Sequence, residues 1–334
     1  MRVAINGFGR IGKLVFRAFL EKNLKGVDIV AINELGSLDS SLHLMQYDSI
    51  HGKLPVQINK TKDVLKYKNK TIKFFSERDP LNLPWKKLNV DVVLECSGVF
   101  ASKEKAEAHL NAGAKKVIIS APGSNVDATI VQGVNNQILK KKHNVISNGS
   151  CTTNCLAPVA MVLDKGVGIE NGFMTTIHSY TGDQRTVDQT HSDFRRARGA
   201  AISMIPTSTG AAKALSLVLP KLKGKLDGTA IRVPTPNVSL IDLTFTSKKK
   251  TSVEEINKLM VQASKTKNLK NILTTNKLPL VSIDFNHNSS SSVFDLTQTQ
   301  VLNGKFCRIL SWYDNEWGFS NRMIDTMLDF KKLL

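Results

Sequence analysis

Cysteine is scarce in this sequence, and long hydrophobic runs are absent from it. The 334 residues include only four cysteines, too few for the disulfide framework of a small secreted protein. No run of about 18 apolar residues is present, which excludes a membrane-spanning helix. The chain enters a strand-like pattern at once, in "MRVAING", which leaves no room for a secretory signal. We therefore expect a cytoplasmic protein with reduced thiols and no membrane partner.

Aromatic residues are also few, at 6%, and they do not alternate with the basic residues. The formal net charge is +18, but the lysines are spread along the chain and form no recognisable nucleic-acid motif. This charge is compatible with small anionic ligands, and it does not by itself name a partner. We expect a solvated lysine-rich surface and no nucleic acid as the main partner.

The length indicates about two domains, and the hydrophobic pattern changes near residue 150. Up to that point, short β-branched runs such as "VDIVAIN" and "DVVLEC" alternate with helical patterns. In the helical stretch "RIGKLVFRAFLEK", Ile11, Val15 and Phe19 recur at a spacing of four. Such alternation predicts an α/β domain over 1–150, a Rossmann-type doubly wound parallel sheet with helices on both faces.

Beyond residue 150 the pattern is that of an α+β domain with a mostly antiparallel sheet. "CTTNCLAPVAMVLDKG" predicts a helix and "GFMTTIHSY" a strand. In "SLIDLTFTS" the apolar residues Ile241, Leu243 and Phe245 alternate with polar ones, which is typical of a strand with one buried face. "NHNSSSSV", at 286–293, is interpreted as a polar loop, and "WGFSNRMIDTMLDFKKLL" as a terminal helix that must dock on another element.

A glycine pattern follows the first predicted strand. Gly7, Gly9 and Gly12 have the G-x-G-x-x-G spacing between a strand and a helix, where glycines allow a tight turn and close approach of a pyrophosphate. Glu34 ends the second strand, where a carboxylate accepts hydrogen bonds from ribose hydroxyls. The pattern favours a dinucleotide, and the carboxylate favours NAD over NADP. A glycine turn that only packs a helix is the alternative.

Two cysteines four residues apart, in "NGSCTTNCLAP", are open to three interpretations: a metal or disulfide pair, two small core residues, or one nucleophile with a neighbour. Within one helix a disulfide between Cys151 and Cys155 has poor geometry, and a metal needs more ligands. Cys151 begins the predicted helix, where amides and the helix dipole lower a thiol pKa. Among seven histidines, His178 ends a strand before a polar loop and is the best candidate for a base. A satisfied, partly buried histidine is the alternative.

Residues suited to anions accompany this pair. Thr209 and Gly210 precede a predicted helix, and Arg232 lies in an otherwise apolar strand, where an unpaired guanidinium is costly. Hydroxyls beside the predicted nucleophile and base come from Ser150, Thr152 and Thr181. A thiol, a histidine, a nicotinamide and phosphate sites together indicate oxidation of a phosphorylated aldehyde.

The chain resembles the glyceraldehyde-3-phosphate dehydrogenase family over essentially its full length. The resemblance is carried by seven motifs in family order: "INGFGRIG", "SCTTNCLAP", "HSYTGDQ", "RRAR", "IPTSTGAAKA", "RVPTPNVS" and "WYDNEWGFSNR". It implies an NAD-dependent homotetramer that converts D-glyceraldehyde 3-phosphate and inorganic phosphate to 1,3-bisphosphoglycerate in glycolysis or gluconeogenesis. It also implies a first domain completed by the C-terminal helix, 315–334, a catalytic domain over 151–314, and a 181–200 loop that lines a neighbour's cofactor site.

The resemblance implies a role for each matching residue. Cys151 forms a hemithioacetal and then a thioester, with His178 as the base, and no metal takes part. Thr181 and Arg232 match residues that hold the substrate phosphate, while the inorganic phosphate site matches Ser150, Thr152, Thr209 and Gly210. The expected cofactor contacts are Gly7, Gly9, Arg10, Ile11, Gly12, Glu34, Arg78, Ser120 and Asn315.

Three departures from the family pattern leave questions open. Glu34 replaces the usual aspartate, and Gln189 and Thr190 replace a common Leu-Pro, so dual use of NAD and NADP remains an alternative. Gly149 replaces an alanine, which we interpret as a minor packing change. The rival enzymes are erythrose-4-phosphate dehydrogenase and an NADP-preferring triose enzyme, while semialdehyde dehydrogenases lack the "SCTTNC" and "YTGDQ" combination. A basic binding protein with a relict site is the rival from another class.

Overall fold

The computed structural model describes residues 1–334 and divides into two compact units. The first consists of Met1–Ile130, Asn136–Gly149 and Ser320–Leu334, and the second of Val131–Asn135 and Ser150–Phe319. The short piece Val131–Asn135, which the sequence pattern had grouped with the first unit, thus clusters with the second. No helix combines the length and the apolar character needed to cross a membrane.

The first unit contains a nine-stranded sheet whose centre is parallel. From one edge its order is β10-β11-β9-β8-β1-β2-β7-β6-β5, and only the β7-β6-β5 end is antiparallel. The strands are β1 (Arg2–Asn6), β2 (Asp28–Asn33), β3 (Tyr47–Asp48), β4 (Gly52–Lys53), β5 (Asn59–Thr61), β6 (Val64–Tyr67), β7 (Lys70–Phe75), β8 (Val92–Glu95), β9 (Lys116–Ile119), β10 (Ala128–Thr129) and β11 (Val145–Ser147), of which β3 and β4 form a separate pair.

Helices α1 (Arg10–Lys22), α2 (Leu38–Gln46) and α3 (Lys103–Asn111) lie in the connections of this unit. Ser37 and Ser102 cap α2 and α3 by accepting a backbone N–H at the third helical residue. The apolar stripe predicted for α1 is present, since Val15 and Phe19 are buried. All four residues of β8 are buried, as expected for a central parallel strand covered on both faces.

The second unit begins with the long helix and carries a mixed, mostly antiparallel sheet of eight strands. Its order is β13-β14-β12-β15-β19-β17-β16, with β18 paired to β19. The elements are α4 (Cys151–Gly166), β12 (Ile169–Ser179), β13 (Ile205–Ser208), α5 (Ala211–Val218), β14 (Leu226–Val233), β15 (Ser239–Ser247), α6 (Val253–Ser264), β16 (Leu273–Asn276), β17 (Ser292–Asp295), β18 (Gln300–Leu302) and β19 (Phe306–Tyr313). The predicted fold class is confirmed.

One face of this second sheet is buried. Ile241, Leu243 and Phe245 are at most 1% exposed, while the alternate side chains of β15 are half-buried. These three side chains pack with residues of α4, α5 and α6 in one hydrophobic cluster. Each buried side chain of this size contributes ~1.5–3 kcal/mol to the free energy of unfolding. The cluster therefore fixes α4, and with it Cys151, against the sheet that carries His178.

The C-terminal helix α7 (Trp317–Lys331) closes the fold, and its part from Ser320 onward belongs to the first unit. There Asp325 pairs with Lys22, and the Thr326 hydroxyl donates to Asn148. The stretch 286–293 is only partly the predicted loop, because Ser292 opens β17 and is fully buried. Its hydroxyl bonds that of Ser311 at 2.7 Å, so a serine-rich sequence forms an interior strand.

Candidate active site

Cys151 is the first residue of α4 and is held by the turn before it. Gly149, two residues before Cys151, has a φ of +66°, in the left-handed region. Ser150 caps α4, and its hydroxyl accepts the Thr153 N–H at 3.0 Å. The thiol therefore sits at a helix N-terminus, as predicted. The interpretation of the replacement at position 149 as a minor packing change stays a prediction, and the backbone there has a conformation that glycine adopts readily.

His178 faces Cys151 because α4 packs against the sheet that carries His178. It is 3% exposed at the end of β12, and its Nε2 lies 3.4 Å from the Cys151 Sγ. β14 runs parallel to β12 with Arg232 paired to His178, so both side chains emerge on the same face. Arg232 NH1 lies 2.8 Å from His178 Nδ1 and 3.2 Å from the Ser179 carbonyl oxygen. The structure thus brings together three residues that are far apart in the sequence.

The ring nitrogens of His178 admit two hydrogen-bond arrangements. The Nδ1 atom lies 2.7 Å from the Ser179 carbonyl, which only accepts, and 2.8 Å from the Arg232 guanidinium, which only donates. With the proton on Nδ1, the bond goes to Ser179 and the Nε2 lone pair faces the thiol. With the proton on Nε2, Arg232 donates to Nδ1 and the ring donates to sulfur. The first arrangement prepares a base, and the second stabilises a thiolate.

The charges of the resting site are set by burial. Burial and then the Arg232 charge lower the pKa of His178 to about 3, although the Ser179 carbonyl opposes them. Burial raises the pKa of the Cys151 thiol above its ordinary value, although Arg232 and the Thr152 and Cys151 amides lower it. The expected net lowering of the thiol pKa is thus wrong for the free site. Because Cys151 keeps part of its surface exposed, a substrate can still reach it.

Of the residues predicted to hold the substrate phosphate, Arg232 contacts His178, and Thr181 follows His178 by three positions in the chain. Arg232 is half-buried, and its Nε has no hydrogen-bond partner. The Thr181 hydroxyl contacts the Gln184 side chain at 3.3 Å, and the Gln184 Nε2 also lacks a partner. Burial lowers the pKa of Arg232, and the Arg196 charge lowers it further. Arg196 was not singled out from the sequence, although it lies in the "RRAR" motif.

The residues predicted for inorganic phosphate divide into two groups. Gly210 caps α5 with open space at its Cα, and the Thr209 hydroxyl accepts the Ala211 N–H at 3.2 Å. Thr152 differs from the expectation of an accessible hydroxyl: it is 4% exposed, and its oxygen bonds the Tyr313 hydroxyl at 2.9 Å. Its side chain is therefore directed into the core. Tyr313, which packs edge-on to His178, was also missed from the sequence.

In the first unit, the glycine turn after β1 has the geometry of a dinucleotide site. A Cβ at Gly7, where φ is +86°, would lie 2.4 Å from the Ser97 nitrogen, and one at Gly12 would lie 2.1 Å from the Gly7 carbonyl. Apart from the adjoining residues of the chain, no heavy atom lies within 4 Å of the corresponding position at Gly9. Two glycines thus permit the turn itself, and the third leaves space in front of the N-terminus of α1.

The other predicted cofactor residues are distributed as follows. Glu34 accepts the Phe8 N–H at 2.6 Å and the Gly36 N–H at 3.1 Å, so its carboxylate supports the glycine turn. Arg10 pairs with Asp48 at 2.7 Å. Ile11 and Ser120 are half-buried and Arg78 is exposed, while Asn315 lies in the second unit with its Oδ1 accepting the Ser239 hydroxyl at 2.9 Å. No group of three or more histidine, cysteine, aspartate or glutamate side chains could hold a metal ion.

Comparison with known proteins agrees with both units. Residues 1–103 match the family model of the "Glyceraldehyde 3-phosphate dehydrogenase, NAD binding domain". Residues 150–315 match the family model of the "Glyceraldehyde 3-phosphate dehydrogenase, C-terminal domain". The chain is 57% identical to glyceraldehyde-3-phosphate dehydrogenase of Xanthobacter flavus, over 100% of this chain and 99% of that protein. It is 54% identical to the enzyme of the same name from Cereibacter sphaeroides over the same shares. The family resemblance is confirmed, and the chain belongs to the glyceraldehyde-3-phosphate dehydrogenase family.

Proposed function

We propose that this protein oxidises D-glyceraldehyde 3-phosphate with NAD and inorganic phosphate to 1,3-bisphosphoglycerate. The observation that carries the proposal is the 3.4 Å approach of the Cys151 thiol to His178 Nε2, with Arg232 beside them. The first unit serves as the cofactor domain and the second as the catalytic domain. The open position at Gly9, in front of a helix N-terminus, fits a pyrophosphate.

The first step joins the substrate to the protein. The Cys151 sulfur attacks the aldehyde carbon, its proton passes by way of His178 to the new oxyanion, and a hemithioacetal forms. Arg232 and Thr181 hold the substrate's phosphate, which fixes the aldehyde over the thiol. Holding the reacting atoms in this way removes much of the entropic barrier to addition.

Oxidation and phosphorolysis follow on the same residues. Bound NAD supplies the hydride acceptor. His178 Nε2 takes the hydroxyl proton as the hemithioacetal is oxidised, and Cys151 is left as a thioester. Base catalysis of this kind contributes roughly 10²–10⁴-fold. Inorganic phosphate, held by Ser150, Thr209 and Gly210 with the backbone at Thr152, attacks the thioester carbon and releases the Cys151 sulfur.

The protein is proposed to work as a cytoplasmic homotetramer. Several large apolar side chains between 187 and 204 are far more exposed than a folded monomer normally leaves them. They are Val187 at 72%, Phe194 at 87%, Ile202 at 87% and Met204 at 74% exposure. A second copy of the chain would cover them, and light scattering of the pure protein tests the tetramer directly.

The decisive experiment is NADH formation by the pure protein. Glyceraldehyde 3-phosphate and erythrose 4-phosphate are compared, with and without phosphate, using NAD and then NADP. Preference for erythrose 4-phosphate would overturn the triose assignment, and equal use of NADP would show that Gln189 and Thr190 permit dual use. A protein that binds nucleic acid but oxidises neither aldehyde would support the binding-protein alternative.

Two matched variants test the nucleophile. Cys155 is fully buried, contacts the hydroxyl of Ser292 at 3.4 Å, and has its pKa raised by burial to about 12. Cys151→Ser should abolish turnover, whereas Cys155→Ser should keep it. The opposite pattern would mean that the wrong cysteine has been assigned.

A further inference from the structure

Three adjacent parallel strands of the first unit end on polar residues in register. Asn33 at the end of β2 pairs with Asn6 at the end of β1, and Asn6 pairs with Glu95 at the end of β8. All three are at most 5% exposed. Asn33 Nδ2 donates to Asn6 Oδ1 at 2.7 Å, and Asn6 Nδ2 donates to Glu95 Oε2 at 2.6 Å. We call these three residues, with His109 and Trp85, the polar row.

The donor and the acceptor of each hydrogen bond in the polar row can be assigned, because the groups at the two ends of the row can only donate. The Trp85 indole N–H can only donate, and it lies 3.0 Å from His109 Nδ1, so the His109 proton is on Nε2 and faces Glu95 Oε2 at 2.9 Å. At the other end, the Glu77 N–H donates to Asn33 Oδ1 at 2.9 Å, which leaves the Asn33 amide N–H to donate. Glu95 therefore acts as an acceptor at both oxygens.

Glu95 is a buried carboxylate satisfied by donors and not by a cation. Its Oε2 accepts hydrogen bonds from Asn6 Nδ2 and His109 Nε2. Its Oε1 accepts hydrogen bonds from the backbone N–H of Ser97, at 2.8 Å, and from the Ser97 hydroxyl. A buried carboxylate is costly unless all its acceptor sites are used, and here each oxygen has two donors. Such a group is unnecessary for packing, where an apolar side chain would suffice.

The polar row holds the backbone of four segments at the carboxyl edge of the sheet. Gly7 follows Asn6 and Glu34 follows Asn33, while Asn33 Nδ2 also binds the carbonyl of Glu77, the residue before Arg78, at 2.8 Å. Ser97 donates two hydrogen bonds to Glu95, and the Ser97 nitrogen lies 2.4 Å from where a Gly7 Cβ would be. The same carboxylate thus fixes both sides of the glycine turn.

We propose that Glu95 and Asn6 are positioning residues for dinucleotide binding, through a polar row that fixes the segments around Gly7, Glu34, Arg78 and Ser97. Both side chains are at most 2% exposed, so they act through the backbone that follows them. The inference rests on the proposed use of NAD and adds two residues that were not among the expected cofactor contacts. It predicts that weakening the row loosens NAD binding more than it weakens the fold.

The test compares NAD affinity with the stability of the protein without cofactor. Glu95→Gln keeps the shape but places an amide N–H₂ against donors whichever way it turns, and we expect the Kd for NAD to rise about ten-fold. Asn6→Asp places a second carboxylate against Glu95 and should weaken NAD binding more. In the double variant Asn6→Asp with Glu95→Gln, the new amide donates to the new carboxylate, so NAD binding should be tighter than with Asn6→Asp alone.

Lys116→Met is the matched control in the same unit. Lys116 is 6% exposed and donates to the carbonyl of His143 at 2.7 Å. It lies at the N-terminal end of β9, whereas the polar row lies at the carboxyl edge of the sheet. This variant should lower the melting temperature and leave the Kd for NAD unchanged. Titration calorimetry gives the Kd, and the KM for NAD should rise in Glu95→Gln while the KM for glyceraldehyde 3-phosphate stays constant. Ser97→Ala is a milder variant that removes one donor, with an expected rise in Kd of about three-fold.

Two results would overturn the positioning role. One is a Kd for NAD in Glu95→Gln and Ser97→Ala no higher than in Lys116→Met. The other is a double variant that binds NAD as weakly as the sum of its two single changes predicts. In either case the unaltered protein would still bind NAD. If the unaltered protein bound no NAD, the proposed function would fail together with the inference.

Discussion

Gly9 offers the sharpest separation of cofactor binding from folding. It is the N-cap of α1, and apart from the adjoining residues of the chain no heavy atom lies within 4 Å of where its Cβ would be. Gly9→Ala therefore meets no clash in the protein itself, and losing a glycine N-cap costs at most about 1 kcal/mol. The added methyl group enters the space in front of the helix N-terminus, where the pyrophosphate is proposed to lie. Affinity should fall while the fold persists.

The expected size follows from linkage between binding and unfolding. With NAD at 100 times its Kd, the unaltered protein gains about 2.7 kcal/mol of stability from the ligand. For a unit of this size that corresponds to a rise in melting temperature of roughly 5–10 °C. In Gly9→Ala we expect most of this rise to disappear, while the melting temperature without NAD changes by no more than about 4 °C.

Gly7→Ala provides the contrasting case. Its Cβ would lie 2.4 Å from the Ser97 nitrogen, and its φ of +86° disfavours any residue with a side chain. This variant should lose stability even without NAD. Differential scanning fluorimetry with and without NAD distinguishes the two outcomes. If Gly9→Ala kept the full NAD-dependent rise, the open space at Gly9 would not be part of the cofactor site and the reasoning would be refuted.

Three other residues give testable expectations about pH, backbone strain and cofactor choice. Burial and Arg232 hold the pKa of His178 at about 3 in the folded protein, so between pH 6.5 and 3 only the unfolded chain binds a proton at this residue. The free energy of unfolding should therefore fall by up to about 1.4 kcal/mol for each unit by which the pH is lowered in that window. Urea titrations of His178→Asn should show a shallower fall. An equally steep fall in the variant would contradict the assignment. Gly149→Ala, at a φ of +66°, should destabilise the protein by about 1 kcal/mol or more. Gly182→Ala, where the Cβ would have open space and φ is not positive, should not destabilise it. Equal melting temperatures of the two variants would show that the backbone at Gly149 relaxes. Glu34→Gln keeps an acceptor for the Phe8 N–H but removes the charge, so the ratio of kcat/KM for NADP to that for NAD should rise about ten-fold, and an unchanged ratio would exclude Glu34 from cofactor selection.

Local patterns allowed most of the fold to be predicted. The helix Cys151–Gly166 and the strand Ser239–Ser247 coincide with the stretches expected from sequence, because helical spacing and two-residue alternation are both short-range signals. The 286–293 stretch was predicted as a loop because serine is typical of turns. In the structure Ser292 bonds Ser311 of β19, and a partner so distant in sequence leaves no local signal.

The site residues divide along the same line. The glycine turn could be identified because all its residues lie within one strand–turn–helix segment. The pairing of Cys151 with His178 depends on the packing of α4 against the sheet, which is a tertiary contact, so the sequence alone offered His178 only as the best of seven histidines. Thr152 has the right chemistry for a phosphate ligand, yet its hydroxyl is directed inward by Tyr313, 161 positions away. Residue type identified the chemistry, and tertiary contacts decided which atoms are available for it.

The thiol pKa shows why this distinction matters for mechanism. A helix N-terminus is a local feature and lowers the pKa of Cys151, but burial, which only the whole fold creates, outweighs it. Burial and Arg232 also lower the pKa of His178, so both groups are shifted toward their neutral forms before substrate arrives. In the proposed reaction, addition of the aldehyde moves one proton over the 3.4 Å between sulfur and nitrogen and on to the oxyanion, so no net charge enters the site. In this proposal only the oxidation step leaves a proton on His178, and the neighbouring Arg232, which lowers the His178 pKa, disfavours that cation. We infer that the same repulsion that keeps the resting base neutral also returns it to neutrality once phosphate has released the product.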